Sequence, residues 1–81
     1  MAKNTIGVED ARINRDNNFG GYCRLAAELV EQATGMKRTF GGGTMTWNDF
    51  HSTSYRHTWG DCQVDVTMDF NNHKATIIVE D

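Results

Sequence analysis

Two cysteines and three histidines are the residues of this chain best suited to chemistry: Cys23, Cys62, His51, His57 and His73. Together with the aspartates they include every ligand type that zinc prefers in proteins. None of them is spaced as CxxC, HxxxH or HExxH, the patterns that preorganise a metal site. We therefore expect no metal site and no metal cofactor.

Cys23 lies where a thiol could act as a nucleophile. It follows a Gly-Gly-Tyr sequence at the start of a predicted helix, where free N–H groups stabilise a negative charge such as a thiolate. Predicted strands that carry His57 and His73 follow. This order of elements resembles that of papain-like and NlpC/P60 cysteine hydrolases, although their local motif around the cysteine is absent. The resemblance implies a minimal hydrolase with Cys23 as nucleophile and His57 as base, which is the alternative to a non-enzymatic function.

Neither a phosphate site nor nucleic-acid binding is favoured by the sequence. The glycine run 41–43 lacks the GxxxxGK[ST] pattern of a phosphate-binding loop, and we interpret it as a flexible turn between strands. Five basic residues cluster in the first half of the chain: Arg12, Arg15, Arg24, Lys37 and Arg38. A pI near 5.5 opposes the counterion release that drives binding to nucleic acid. We expect no cofactor and no direct nucleic-acid binding.

The composition fits one small domain. A chain of 81 residues can build one hydrophobic core, and 38% of its residues are apolar. It has no run of about 18 apolar residues that could span a membrane, and its first residues lack the apolar segment of a secretory signal. We therefore expect a single domain over residues 1–81, a cytoplasmic location, and two free thiols rather than a disulfide.

Helical periodicity is strongest between residues 18 and 34. Six apolar residues recur there at spacings of three and four and would share one helix face: Tyr22, Leu25, Ala26, Leu29, Val30 and Ala33. Gly35 follows at the position where a left-handed residue commonly ends a helix. The preceding residues, 1–17, are mostly polar and are predicted to form a loosely ordered N-terminal arm.

The most regular segment is the C-terminal hairpin. Apolar and polar residues alternate strictly over residues 62–70, which predicts a strand with one face in the core. A turn at residues 71–72 would set Val66 opposite Ile77 and Asp69 opposite Lys74. The apolar, turn and charge patterns agree in this register, and a shift by one residue would disrupt all three.

Period two extends upstream and predicts an antiparallel sheet over residues 37–80. The same register pairs residues 55–59 with the strand at 62–70, and strands at 37–40 and 44–48 flank the glycine run. Trp47, Tyr55 and Trp59 are expected mainly in the core, with room for one of them to be partly exposed, because a small domain needs its aromatic residues there. The predicted fold class is α+β, with one amphipathic helix packed on a three- to five-stranded antiparallel sheet.

Carboxylates line the face of the final hairpin that points away from the core. Asp65, Asp69 and Glu80 are predicted to lie on it, and Ile78 interrupts it opposite Asp65. Residues 41–81 carry six acidic and two basic residues, whereas residues 1–40 carry five and six. An apolar anchor ringed by carboxylates suits a protein partner with a basic surface, so these four residues are the predicted partner-binding site.

No motif assigns a family, and we expect a small protein-binding accessory protein that occupies a basic surface of a larger complex. Short, acidic, single-domain chains without a cofactor motif are common among phage-encoded inhibitors of host machinery, including anti-CRISPR proteins, and we expect that class. Besides the hydrolase, a homo-oligomeric structural or assembly protein is an open alternative. Its basis is the final strand, Lys74–Glu80, which could be a sheet edge that pairs with another copy.

Overall fold

One helix and five antiparallel strands form the described part of this computed structural model, which comprises residues 3–14, 22–35, 43–59 and 62–80. The elements are β1 (Lys3–Glu9), α1 (Tyr22–Thr34), β2 (Gly43–Asn48), β3 (Ser52–Trp59), β4 (Cys62–Asp69) and β5 (Lys74–Glu80). The strands form one sheet in the order β1-β5-β4-β3-β2, and α1 packs against it. The predicted α+β fold, one helix on an antiparallel sheet, is confirmed.

The core lies between α1 and one face of the sheet. Its buried apolar residues are Ile13, Leu25, Ala26, Ala27, Leu29, Val30, Val64, Val66, Met68, Phe70, Ala75 and Ile77. The predicted apolar face of the helix is therefore the face that packs. The helix ends as expected, because Gly35 has a φ of 73° and its N–H donates a hydrogen bond to the carbonyl of Glu31 at 2.9 Å.

The β4–β5 hairpin has the register predicted from its alternation. Val66 pairs with Ile77 and Asp69 pairs with Lys74. The β3–β4 register is also confirmed, since Tyr55 pairs with Val66. These pairings direct one set of side chains into the core and the alternating set to the opposite face.

The N-terminal segment differs from its prediction. Residues 1–17 were predicted to be a loosely ordered arm, but β1 pairs along its whole length with β5. The chain beyond β1 is also fixed: Ile13 is fully buried, and Arg12 forms ion pairs with Asp10 at 2.8 Å and with Glu28 of α1 at 2.9 Å. For residues 3–14 the prediction was wrong, because the partner of β1 lies at the other end of the chain and periodicity within the N-terminal segment gives no sign of it.

The same pairing corrects the predicted sheet edge. β5 lies between β1 and β4, so its backbone is not an open edge for pairing with another copy. The predicted strand at 37–40 and helix residues 18–21 lie outside the described residues. Of the glycine run, Gly43 is described, and it is the first residue of β2. No helix in the described ranges is long and apolar enough to cross a membrane.

Candidate functional site

All four residues predicted to bind a partner lie on the sheet face turned away from α1, here called the outer face. Asp65 lies opposite Ile78, and Asp69 lies opposite Lys74. Glu80 is the last residue of β5 and shares this face with Ile78, two positions earlier. The structure thus places the predicted carboxylates and the apolar residue between them on one surface.

Cations interleave with the carboxylates on the outer face. Among the described residues, three ion pairs lie there, with nitrogen–oxygen distances of 2.9 Å for Arg56–Asp65, 3.5 Å for Lys74–Glu9 and 3.9 Å for Lys3–Glu80. Exposed pairs of this kind stabilise a fold by only about 0–1 kcal/mol each. They do balance charge, so the described outer face is less acidic than the final hairpin alone predicts.

Asp69 has a structural role in the β4–β5 turn. Its carboxylate accepts hydrogen bonds from Asn72 Nδ2 at 2.8 Å and from the backbone N–H of Asn71 at 3.0 Å. The Asn72 side chain is the main cause that holds the pKa of Asp69 below its ordinary value. His73 completes the turn with a φ of 54°, a conformation uncommon for a residue with a side chain.

Three large apolar side chains stand exposed at the β2 end of the sheet. Met45, Trp47 and Phe50 expose 53%, 57% and 72% of their surface, and we call them the β2 patch. Trp47 is therefore exposed and is not part of the core. Tyr55 is partly buried against the core, as expected, and the side chain of Trp59 lies outside the described part of the structure.

A β-bulge explains the exposure of Trp47. Met45 pairs with Tyr55, but the register shifts between Met45 and Trp47, so that Trp47 pairs with Ser54 and not with Thr53. Thr53 is fully buried, whereas Ser54 alternates with it and belongs to the outer face. One extra residue in β2 therefore turns Trp47 from the core side of the sheet to the outer face.

Asp49 fixes the loop that carries the β2 patch. Its carboxylate accepts a hydrogen bond from Trp47 Nε1 at 3.0 Å and from the backbone N–H groups of His51 and Ser52 at 2.8 Å each. The hydrogen bond from the His51 N–H is the main cause that lowers the pKa of Asp49. Phe50 lies inside this turn, so one carboxylate orders the backbone beside both exposed aromatic residues.

On the core side of the sheet, the structure brings together the predicted nucleophile and base. Cys23 Sγ lies 3.7 Å from His57 Nε2, within hydrogen-bond range for sulfur. Cys23 is the second residue of α1 and is partly exposed, whereas His57 is 1% exposed in the middle of β3. The contact forms because the start of α1 packs over β3.

Gly43 shapes this contact from the neighbouring strand. It is the β2 partner of His57, and a Cβ added to it would lie 2.7 Å from Cδ2 and 2.8 Å from Cε1 of the imidazole. That carbon would lie nearer still to Nε2, the atom that faces Cys23. The position therefore has room for the imidazole only because residue 43 has no side chain.

No family model, no curated protein and no solved structure matches this chain.

The other candidate ligands lie apart from the Cys23–His57 contact. His73 Nδ1 lies 2.8 Å from the carbonyl oxygen of Ile13, and His51 Nδ1 lies 3.2 Å from Asn71 Nδ2. Cys62 is a free thiol at the start of β4. Within the described ranges, no three His, Cys, Asp or Glu residues lie close enough together to hold a metal ion.

The β2 patch is the feature that reasoning from sequence missed. Strict alternation would place Trp47 on the same face as Met45, and it gives no sign of the extra residue between them. The available signal was Asp49, two positions after Trp47 and separated only by Phe50 from the polar stretch 51–54. An aspartate there commonly accepts backbone N–H groups in a tight turn and ends a strand.

Proposed function

We propose that this protein is a small binding module that occupies a basic surface of a larger protein complex. The observation that carries the proposal is the exposure of Trp47 on the outer face and of Phe50 in the loop that follows β2. Aromatic side chains, tryptophan above all, supply much of the affinity at protein interfaces. A small domain has few apolar residues to spare from its core, so large apolar side chains exposed at its surface support a binding role.

The fixed conformation of the loop that carries the β2 patch also supports binding. Asp49 holds the Trp47 indole and the backbone of the loop around Phe50 through three hydrogen bonds. Side chains that are already fixed lose less conformational entropy on association, a cost of about 0.5–1.5 kcal/mol for each mobile side chain. The module would therefore present Trp47 as a preorganised anchor for an apolar pocket of the partner.

Charge supports a partner with a basic surface. The chain has a net charge of −3. Hydrogen bonds lower the pKa values of Asp49 and Asp69, so both carboxylates are ionised at neutral pH. A negative field steers a basic partner and speeds association more than it raises affinity. In this proposal Asp65, Ile78 and Glu80 form the rim of an interface whose centre is the β2 patch.

Within this proposal, we infer a phage-encoded inhibitor of host machinery, comparable to anti-CRISPR proteins and acting in the host cytoplasm. Its support is a net negative charge together with exposed apolar side chains at the β2 end of the sheet. A protein of that kind suits a target surface that normally holds nucleic acid, because such surfaces are rich in lysine and arginine.

The test is to capture the partner from a lysate of the native host, purify it, and measure its affinity for variants of this chain. The double variant Trp47→Ala with Phe50→Ala should weaken binding at least tenfold, which corresponds to about 1.4 kcal/mol. Asp65→Lys should mainly slow association and reduce its dependence on salt. Asp69 is left unchanged, because its replacement would also disturb the β4–β5 turn.

Gln32→Ala is the matched control, since Gln32 is an exposed residue of α1, on the side of the sheet away from the outer face. It should bind like the wild type. Equal affinity for the double variant, the charge variant and the control would contradict the proposal. A loss caused by Asp65→Lys alone would move the interface from the β2 patch to the carboxylates.

A further inference from the structure

We propose that Cys23 and His57 form a nucleophile–base pair that accepts an acyl group from an ester or amide and passes it to water. This activity goes beyond the proposed binding function and uses the other face of the sheet. Cys23 Sγ and His57 Nε2 lie 3.7 Å apart, within hydrogen-bond range for sulfur, which places the base beside the thiol. Such contacts commonly shorten when a substrate binds.

The two residues have the exposures that this role requires. Cys23 is partly exposed, as a residue that meets a substrate from solvent must be. His57 is 1% exposed, so the protein holds its ring behind the thiol. Gly43 packs against the Nε2 edge of that ring and leaves no room for an added Cβ. We assign Gly43 as a positioning residue, because it acts on the reaction only through the imidazole.

The helix offers a site for the charge that develops on the acyl oxygen. Cys23 is the second residue of α1, so its backbone N–H belongs to the first turn. The helix dipole favours negative charge at this end of α1. An acyl oxygen attached to a carbon on Cys23 Sγ would lie beside the Cys23 N–H, as in an oxyanion hole.

The reaction consists of two balanced steps. In the first, the thiol proton of Cys23 passes to His57 Nε2 while Sγ bonds to the acyl carbon. The bond from that carbon to the leaving oxygen or nitrogen then breaks, and the leaving atom takes the proton from Nε2. In the second step, water gives a proton to Nε2 and attacks the thioester. The carboxylic acid leaves, and Sγ recovers the proton.

The chain contains its own control thiol, because Cys62 is also free and partly exposed. The test uses the variant Cys62→Ser, which keeps Cys23, and the variant Cys23→Ser, which keeps Cys62. At pH 7, Cys62→Ser should react with iodoacetamide at least tenfold faster than Cys23→Ser and than free cysteine. With p-nitrophenyl acetate, Cys62→Ser should release a burst of p-nitrophenol and carry an acetyl group on Cys23 by mass spectrometry.

Gly43→Ala, made in the Cys62→Ser background, tests the role of the imidazole. The added methyl group should displace the His57 ring and lower acetyl transfer at least tenfold. Gly7→Ala in the same background is the matched control, since Gly7 is also in a strand and an added Cβ there meets nothing within 4 Å. It should leave acetyl transfer unchanged.

Three results would overturn the proposal. The first is a Cys23 that reacts no faster than Cys62. The second is fast alkylation without transfer of an acetyl group, which would mean a reactive thiol and no acyl chemistry. The third is a folded Gly43→Ala variant with wild-type transfer, which would mean that His57 is not the base. None of these results bears on partner binding through the β2 patch, so the two proposals fail separately.

Discussion

The β4–β5 hairpin and the β2–β3 pair belong to one sheet but differ in the regularity of their strand pairing. In β4–β5 every pairing is regular, core residues alternate with outer-face residues, and Asp69 lies opposite Lys74. In β2–β3 a bulge shifts the register, a glycine lies opposite a buried histidine, and Trp47 stands exposed. The same backbone arrangement thus carries a uniform packing surface in one half and several local irregularities in the other.

The difference separates scaffold from candidate site. Where all sequence patterns agree, as in β4–β5, the residues are already assigned to packing and few remain for function. Departures from these patterns tend to accumulate at functional sites, because stability alone does not favour them. Both proposals in this protein depend on β2–β3: Trp47 through the bulge, and the Cys23–His57 contact through Gly43.

The largest expected difference between the two regions is in stability. Ile77→Ala should destabilise the fold by about 2–5 kcal/mol, because Ile77 is fully buried and the substitution leaves a cavity. Met45→Ala in the β2 patch should change the free energy of unfolding by less than about 0.5 kcal/mol, because the side chain is half exposed. Urea unfolding followed by circular dichroism measures both. Similar losses for the two variants would mean that the β2 patch is part of the core.

One glycine substitution in each edge strand, β2 and β1, allows the two edges of the sheet to be compared. Gly43→Ala should destabilise the fold by about 1–3 kcal/mol, because the methyl group overlaps the buried His57 ring. Gly43 does not have a positive φ, so the cost is steric. Gly7→Ala should be neutral or stabilising by up to about 1 kcal/mol. Thermal unfolding of the two variants measures the difference, and equal midpoints would contradict the packing of Gly43 on His57.

The ion pair between Arg56 and Asp65 links the two regions across β3 and β4. A double-mutant cycle with Arg56→Ala and Asp65→Ala should give a coupling of about 0.2–1 kcal/mol, because both side chains are partly exposed. Added salt should reduce it. If the coupling is zero, Asp65 is free to meet a partner at no cost to the fold.

The smallest expected effect concerns pH and the loop of the β2 patch. The pKa of Asp49 is lowered from its ordinary 3.8, so its ionised form stabilises the loop. That stabilisation is fully present above about pH 4 and is lost as the pH falls through the lower pKa of the folded state. The NMR signal of the Trp47 indole N–H should therefore stay constant from pH 7 to near pH 4 and move below it. A change of this NMR signal near pH 6 would contradict the prediction, because a carboxylate with a lowered pKa does not titrate there.

Sequence reasoning predicted the helix face, its glycine end, and the β3–β4 and β4–β5 registers. These features depend on periods of two and 3.6 and on turns within a few residues, all of which the sequence displays directly. It missed β1, although Ile6 and Val8 already alternate with polar neighbours. A short strand is recognisable only through the strand it pairs with, and the partner of β1 is at the opposite end of the chain.

The candidate sites divide in the same way. The sequence by itself determined that Asp65, Asp69, Ile78 and Glu80 share one face, and it named Cys23 and His57 as a possible pair. Only the tertiary structure decided that Cys23 meets His57 and that Trp47 faces outward. The first depends on how α1 crosses the sheet, and the second on one extra residue in β2. Alternation assigns faces within a strand, but contacts between distant elements and shifts of register arise only when the strands and the helix pack together.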